Sequence, residues 1–370
     1  GPDLNGVSQE TNWSSLWPKE GPKQVWKTRV GTGFSSVAVS HGRIYTMGND
    51  GNQDTVFCLD ANAGTPIWKH SYPTPMDPKW YEGGPSATPA VDGDRVFTLS
   101  KRGLLLCLGA ADGSVIWSKD LVADLGVKIP TWGFAGSPVV EGNLLIVNAG
   151  SAGTAFDKST GKVVWTSGKN AAGYASPVPV GDNNGRTAVL FLADSVAAVN
   201  LNDGKEIWRH PWTTKYDVNA ADPIVIGDRV FISSGYDRGC ALLRIGGKSA
   251  SVLWENKEMR NHFNSCVLVH GYLFGFDESE LKCVDLNSGV VKWTENRLGK
   301  GSLMAAGDRL VILGEKGELV VAVASSGGFK PLARAQVLGG RCWSTPVLSN
   351  ARIYCRNATG DLVCLDVSGS

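Results

Sequence analysis

Short β-rich runs separated by glycine-bearing turns recur along the whole chain, and they recur as one pattern. The clearest unit opens on S-P-x-V-x-G-x-x-V, passes through an apolar run, then reads G-x-L-x-x-L-D and closes on x-x-G-x-x-x-W. Its opening segment returns around Ser36, Thr88-Pro89, Ser137-Pro138, Ser176-Pro177, Asp222-Pro223, Ser265-Cys266, Ser302-Leu303 and Thr345-Pro346. Eight copies at roughly 40–50 residues match the period of four-stranded propeller blades. The pattern therefore predicts an all-β fold: an eight-bladed β-propeller of four-stranded blades.

The closing segment returns as Gly64 to Trp68, Gly113 to Trp117, Gly161 to Trp165, Gly204 to Trp208 and Gly289 to Trp293, with Trp254 in the same place after a longer turn. Each Gly supplies a positive-φ turn, and each Trp ends an outer strand against the adjacent blade. Regular spacing makes these Trp residues core packing rather than a ligand box. Blade seven departs, since Gly327-Gly328-Phe329 leads into Lys330-Pro331-Leu332-Ala333 without a Trp. Blade eight runs out of chain after Asp361–Asp366, while Gly21 to Trp26 reproduces a closing segment at the other terminus. The N-terminal strand is thus predicted to pair into the C-terminal blade and close the propeller. Residues 21–370 read as a single propeller domain and residues 1–20 as an irregular arm.

Composition narrows the partners. The formal charge is +1, from 36 basic and 35 acidic residues, and no Lys/Arg run is long enough to track phosphates. Nucleic acid is not an expected partner, and no window approaches the roughly 18 apolar residues of a membrane span. The chain begins Gly1-Pro2-Asp3 without an initiator Met, which fits either removal of an export signal or a trimmed chain. Of eight Cys, four (Cys58, Cys107, Cys283 and Cys364) occupy one repeat slot and read as small buried core residues. Whether Cys355 and Cys364 pair is left open.

These segments resemble PQQ-like (pyrroloquinoline-quinone-like) repeat proteins over essentially the whole chain. The opening Gly1 to Ser8 with Trp17-Pro18 and Trp26-Lys27, together with Trp132 to Pro138 and Gly173 to Pro177, is similar to secreted PQQ-binding-like propellers of planctomycetes and related bacteria. The resemblance implies a periplasmic or secreted bacterial protein, its signal sequence absent from this sequence. The family includes PQQ-dependent alcohol dehydrogenases and the BamB propellers of outer-membrane assembly. In the dehydrogenases it implies PQQ stacked on a Trp and a vicinal Cys pair, with Ca²⁺ or a lanthanide and a catalytic Asp. This chain has no vicinal Cys pair and no Glu, Asn and Asp-x-Asp set for such an ion, so no cofactor and no metal is expected.

Function in a propeller is expected at the loops that lead into the inner strands. Alignment on the S-P dipeptide places Phe34, Tyr81, Glu82, Trp132, Tyr174, Asp217, Asn219, Asn261, His262, Lys300, Arg341 and Trp343 there. Aromatic walls with a few polar groups suit a small-molecule, glycan or protein ligand. The competing reading is that the rings plug the funnel and the polar groups satisfy loop backbone. His262 with Asp217 is the candidate acid-base pair, against which a lone His is more often a hydrogen-bonded loop residue. Tyr236-Asp237-Arg238-Gly239 and Lys101-Arg102-Gly103 read as solvated turns. The reading is a monomeric, non-catalytic binding or scaffold propeller of the cell envelope. The alternative is a divergent PQQ-like oxidoreductase or a carbohydrate-active protein using the same funnel.

Overall fold

The computed structural model describes residues 3–182 and 185–369, so residues 1 and 2 of the expected arm and residue 370 lie outside it. Eight four-stranded antiparallel sheets follow one another along the chain, and the fold is an eight-bladed β-propeller. Contacts divide the chain into two units, one of residues up to 84 with those from 258 on, the other of residues 85–257.

The first unit holds blades one, six, seven and eight. Blade one runs Ala38–Ser40, Arg43–Asp50, Gln53–Asp60 and Pro66–Pro73 from the inner strand outward. Blade eight is Val347–Ser349, Arg352–Arg356 and Asp361–Asp366, completed on its outer edge by Lys23–Arg29, as the terminal repeats predict. The arm is more ordered than expected. Val7–Ser8 pairs in parallel with Ala305 and Ala306, adding a fifth strand to the inner edge of blade seven. Farther along, the Glu10 carboxylate accepts from Asn350 N and Ala351 N, and Trp13 and Trp17 pack on the core of blades seven and eight. The second unit holds blades two to five, from Ala90–Asp92 to Ser249–Asn256.

One arrangement repeats inside the blades. The aromatic residue of the second strand, the Cys of the third and the Trp of the fourth stand in one cross-strand row: Tyr45, Cys58 and Trp68, or Phe97, Cys107 and Trp117. The outer rings meet over the small thiol, with centroids 6.0 Å apart in both blades. In blade five Leu242 takes the Cys slot, and the Phe231 and Trp254 rings still stand 6.0 Å apart. All eight Cys are free and buried. Cys355 lies opposite Val363 and Cys364 opposite Tyr354, so strand alternation sends the two thiols to different core layers.

Between neighbouring blades of one unit, the indoles of Trp26, Trp117, Trp165 and Trp293 lie on the next turn. Trp117 donates from Nε1 to Lys158 O at 3.0 Å and Trp165 to Leu201 O at 2.8 Å. The glycine of that turn is fixed twice over. Gly161 has φ +69°, and a Cβ there would stand 2.7 Å from the Trp117 ring. Blade seven, lacking a Trp, uses Phe329 against Trp293 of blade six at 5.6 Å. Each outer strand pair also carries a register shift beside the Trp position, which bends the exposed edge away from strand addition.

Gly161→Ala must both force the left-handed backbone on an L-residue and push the Trp117 ring aside. The expected cost is about 2–4 kcal/mol. Urea unfolding of the variant checks it, and a midpoint equal to that of the parent chain would show that the turn does not clasp the ring.

Candidate functional site

In the first unit the loops leading into the inner strands build a connected aromatic shelf. Tyr81 meets Phe34 edge-on at 5.5 Å, Phe34 stacks on Trp343 at 5.6 Å, and Phe263 reaches Trp343 at 4.4 Å and His262 at 5.1 Å. Arg341 lies 4.4 Å over the Trp343 ring and pairs with Glu82 at 2.7 Å. Trp343 donates to Glu315 Oε1 at 3.3 Å. The candidates Phe34, Tyr81, Glu82, His262, Lys300, Arg341 and Trp343 thus come together on this unit. Phe263 and Glu315, which join them, carried no signal beyond their place in the loops.

The most exposed large side chain beside this shelf is Trp80, 86% exposed, which the alignment on S-P passed over. Its loop is pinned on both sides. Tyr81 and Glu82 make the contacts above, Met76 N donates to Asn52 Oδ1, and Gly83 and Gly84 bring the backbone against Met76 O and Thr32 O. A signal was available in Lys79-Trp80-Tyr81-Glu82, where the Trp falls outside every repeat slot.

His262, Lys300 and Glu278 line a small cavity with Phe263, Asn264 and Phe276. Lys300 Nζ is 2.7 Å from His262 Nδ1 and 2.9 Å from Glu278. A charged ammonium at that distance donates, so Nδ1 accepts and the ring proton resides on Nε2. Burial, then the Lys300 charge, lower the His262 pKa to about 4 against the pull of Glu278. The carboxylate facing His262 is Glu278, whereas Asp217 belongs to the second unit and is exposed. Glu278 is thus the carboxylate that the structure sets beside His262.

Asn219 and Asn261 are withdrawn from solvent. Asn219 donates to Leu192 O and Trp212 O and accepts from Ser234 Oγ, and Asn261 donates to Phe276 O. Both tie loop backbone to the blade, as Asn148 does between Ala175 O and Phe191 O. They answer to the need to pair buried backbone groups rather than to a ligand. Lys101 is likewise buried at 3% exposure, not a solvated turn residue. Beneath the shelf, burial alone would raise the Asp277 carboxyl, yet hydrogen bonds from Arg260 and Lys282 hold it below its ordinary range.

In the second unit, Trp132 N donates to the Tyr174 hydroxyl at 3.3 Å, and burial pushes that phenol up to about 12. The hydroxyl relay of the S-P slots runs from Thr88 N to Ser137 Oγ, from Ser137 N to Ser176 Oγ and from Ser176 N to Asp222 Oδ1. Asp222 thus carries a carboxyl where its neighbours carry a hydroxyl, and burial raises its pKa to about 6.

His262 and Asp222 give opposite pH slopes. The folded chain holds His262 neutral between pH 6.5 and about 4 while the unfolded chain protonates it, so stability falls as pH falls through that window. Asp222 is protonated in the folded chain up to about pH 6 against 3.8 unfolded, so its contribution falls as pH rises. Each effect is on the order of 3 kcal/mol. Relative to the parent chain, urea midpoints between pH 4 and 6.5 should slope downward with rising pH in His262→Gln and upward in Asp222→Ser. Parallel profiles for all three would contradict both assignments.

The family model described as outer membrane protein assembly factor BamB matches residues 52–295, well over half of the chain. BamB of Shewanella oneidensis is 23% identical over 367 residues, covering 92% of this chain and 88% of that protein. Tetrathionate hydrolase of Acidithiobacillus ferrooxidans is 26% identical over 235 residues, covering 58% of this chain, which spans only 44% of the hydrolase. Among solved structures, BamB from Moraxella catarrhalis superposes with a TM-score of 0.67 at 14% identity, covering 93% of this chain and 97% of that one. With the repeat, the clasping tryptophans and the family match in agreement, the chain belongs to the BamB family of PQQ-like β-propellers.

Proposed function

We propose that this chain is a non-catalytic scaffold of the bacterial cell envelope, periplasmic or secreted, that holds a protein partner on the aromatic shelf of the first unit. The observation that carries the reading is Trp80, held out at 86% exposure by a loop fixed at both ends. A rigid exposed Trp beside further rings and paired charges has the composition of an interface hot spot, at little ordering cost on binding. The relatives named as outer membrane assembly factors support a protein partner over a glycan. Among the described residues no helix is long and apolar enough to cross a membrane.

The reading takes no PQQ and no metal. The eight Cys are never adjacent and lie buried in blades, and among the described residues no three His, Cys, Asp or Glu side chains stand together as ligands. A second reading, an enzyme at the same loops, rests on the likeness to tetrathionate hydrolase. It would call on His262, but Lys300 occupies Nδ1 and burial keeps the ring neutral, which leaves a poor general base.

A photoreactive benzoyl-phenylalanine at position 80, irradiated in cells producing the chain, tests the scaffold reading. The expected result is a discrete adduct with an envelope protein, absent when the same group replaces exposed Asn287 and reduced at least tenfold in the presence of Trp343→Ala. Adducts at position 287 equal to those at 80, or none at 80, would overturn it.

A further inference from the structure

Two loop arginines of this chain are held in the same way, each between an aromatic face and a carboxylate, as is Arg334 on an outer strand, between Phe329 and Glu318. Arg341 lies over Trp343 and pairs with Glu82. Arg238, in the second unit, lies 3.4 Å over Trp212 and pairs with Glu255 at 2.6 Å. A planar guanidinium suits such a site because one face stacks while the edge donates to both carboxylate oxygens.

A third loop site of this make-up stands in blade five without its arginine. Tyr216, 55% exposed, meets Tyr236 edge-on at 5.4 Å. Asp217 follows Tyr216 and is exposed, and among the described residues no cation pairs with it. Two nearby cations are engaged elsewhere, and a third lies on the Tyr216 ring itself. Arg238 is committed as above, Lys257 pairs with Asp237 at 2.7 Å, and Lys215 rests 5.1 Å over the Tyr216 ring. Asp217 and Tyr236 both add to the upward push on the buried Tyr174 phenol, which places the three groups together.

Tyr216, Asp217, Tyr236 and Asp237 have φ of +74°, +57°, +55° and +61° in two facing loops. Tyr236 and Asp237 are the central residues of a tight hairpin turn closed by Arg238 N on Gly235 O, which calls for that backbone.

We propose that Asp217 with the Tyr216–Tyr236 pair is a docking site for an arginine side chain of a protein partner, stacked on the tyrosines and paired to the carboxylate. The partner supplies in trans what Arg238 and Arg341 supply within the chain. The site is separate from the aromatic shelf of the first unit, and it does not depend on what binds there.

The test uses the whole chain with ¹³C-labelled tyrosine, titrated with N-acetyl-arginine amide and, separately, with its neutral isostere N-acetyl-citrulline amide. The expected result is a saturable shift of the Tyr216 and Tyr236 ring signals with the arginine probe and a response at least tenfold weaker with citrulline. Asp217→Asn should abolish the shift while leaving the other tyrosine signals in place, because Asn accepts the left-handed backbone. Asp217→Gly, which takes the left-handed backbone without a Cβ penalty, should also lose the response and should melt no lower than the parent chain. Equal responses to both probes, an unchanged response in Asp217→Asn, or no saturable shift would overturn the proposal. Failure of position 80 to crosslink leaves these outcomes unaffected.

Discussion

An indole laid on the next blade's glycine turn, with its N–H on a backbone carbonyl, is the contact from which the rest of the structure follows. Trp26 makes it to Ala61 O over Gly64, Trp117 to Lys158 O over Gly161, and Trp165 to Leu201 O over Gly204. The contact needs a left-handed glycine beneath the ring and a carbonyl at the ring's edge. Asp60 and Asp157 shape that turn by accepting from the amides two and three residues on. Trp26 and Trp117, on their own blades, also meet the second-strand rings of Tyr354 and Phe97 over a Cys. Gly, Asp and Trp positions of the repeat are therefore one constraint seen from three sides.

Blades locked in this way leave exposed loop side chains free for other contacts, while buried ones such as Asn219 and Asn261 tie the loops to the blades. The loops of the first unit spend their side chains on a shelf of rings and paired charges, with Trp80 standing clear of them. Those of blade five hold four left-handed non-glycine residues, two of them in the tight turn of Tyr236-Asp237. The opposing pH slopes of His262 and Asp222 have the same origin, since partial burial disfavours the charged form of each.

Blade number, strand order and the terminal pairing were legible because the Gly-to-Trp closing segment recurs at a fixed place in most blades. The loops were legible only by position. Asn219 and Asn261 sit in the same slots as exposed rings, and whether an Asn faces solvent or a bare carbonyl depends on loop path, which spacing does not encode. Tyr236-Asp237 is the strand-joining turn its sequence suggests, but left-handed backbone at Tyr leaves no mark in composition. Residues 7–8 gave no alternation long enough to announce a strand, and they become one only by lying along Ala305 and Ala306. The partner of His262 came from Glu278, sixteen residues on and across a strand turn, a pairing no linear pattern carries.

Hydrogen exchange of the indole N–H groups in ¹⁵N-tryptophan-labelled protein tests this division of labour most directly. The account predicts that Trp26, Trp117, Trp165 and Trp293, each bonded to a carbonyl, exchange only with global unfolding, while Trp80 exchanges at the rate of a free indole. Rapid exchange at the four clasping indoles, or protection at Trp80 in the isolated chain, would contradict it.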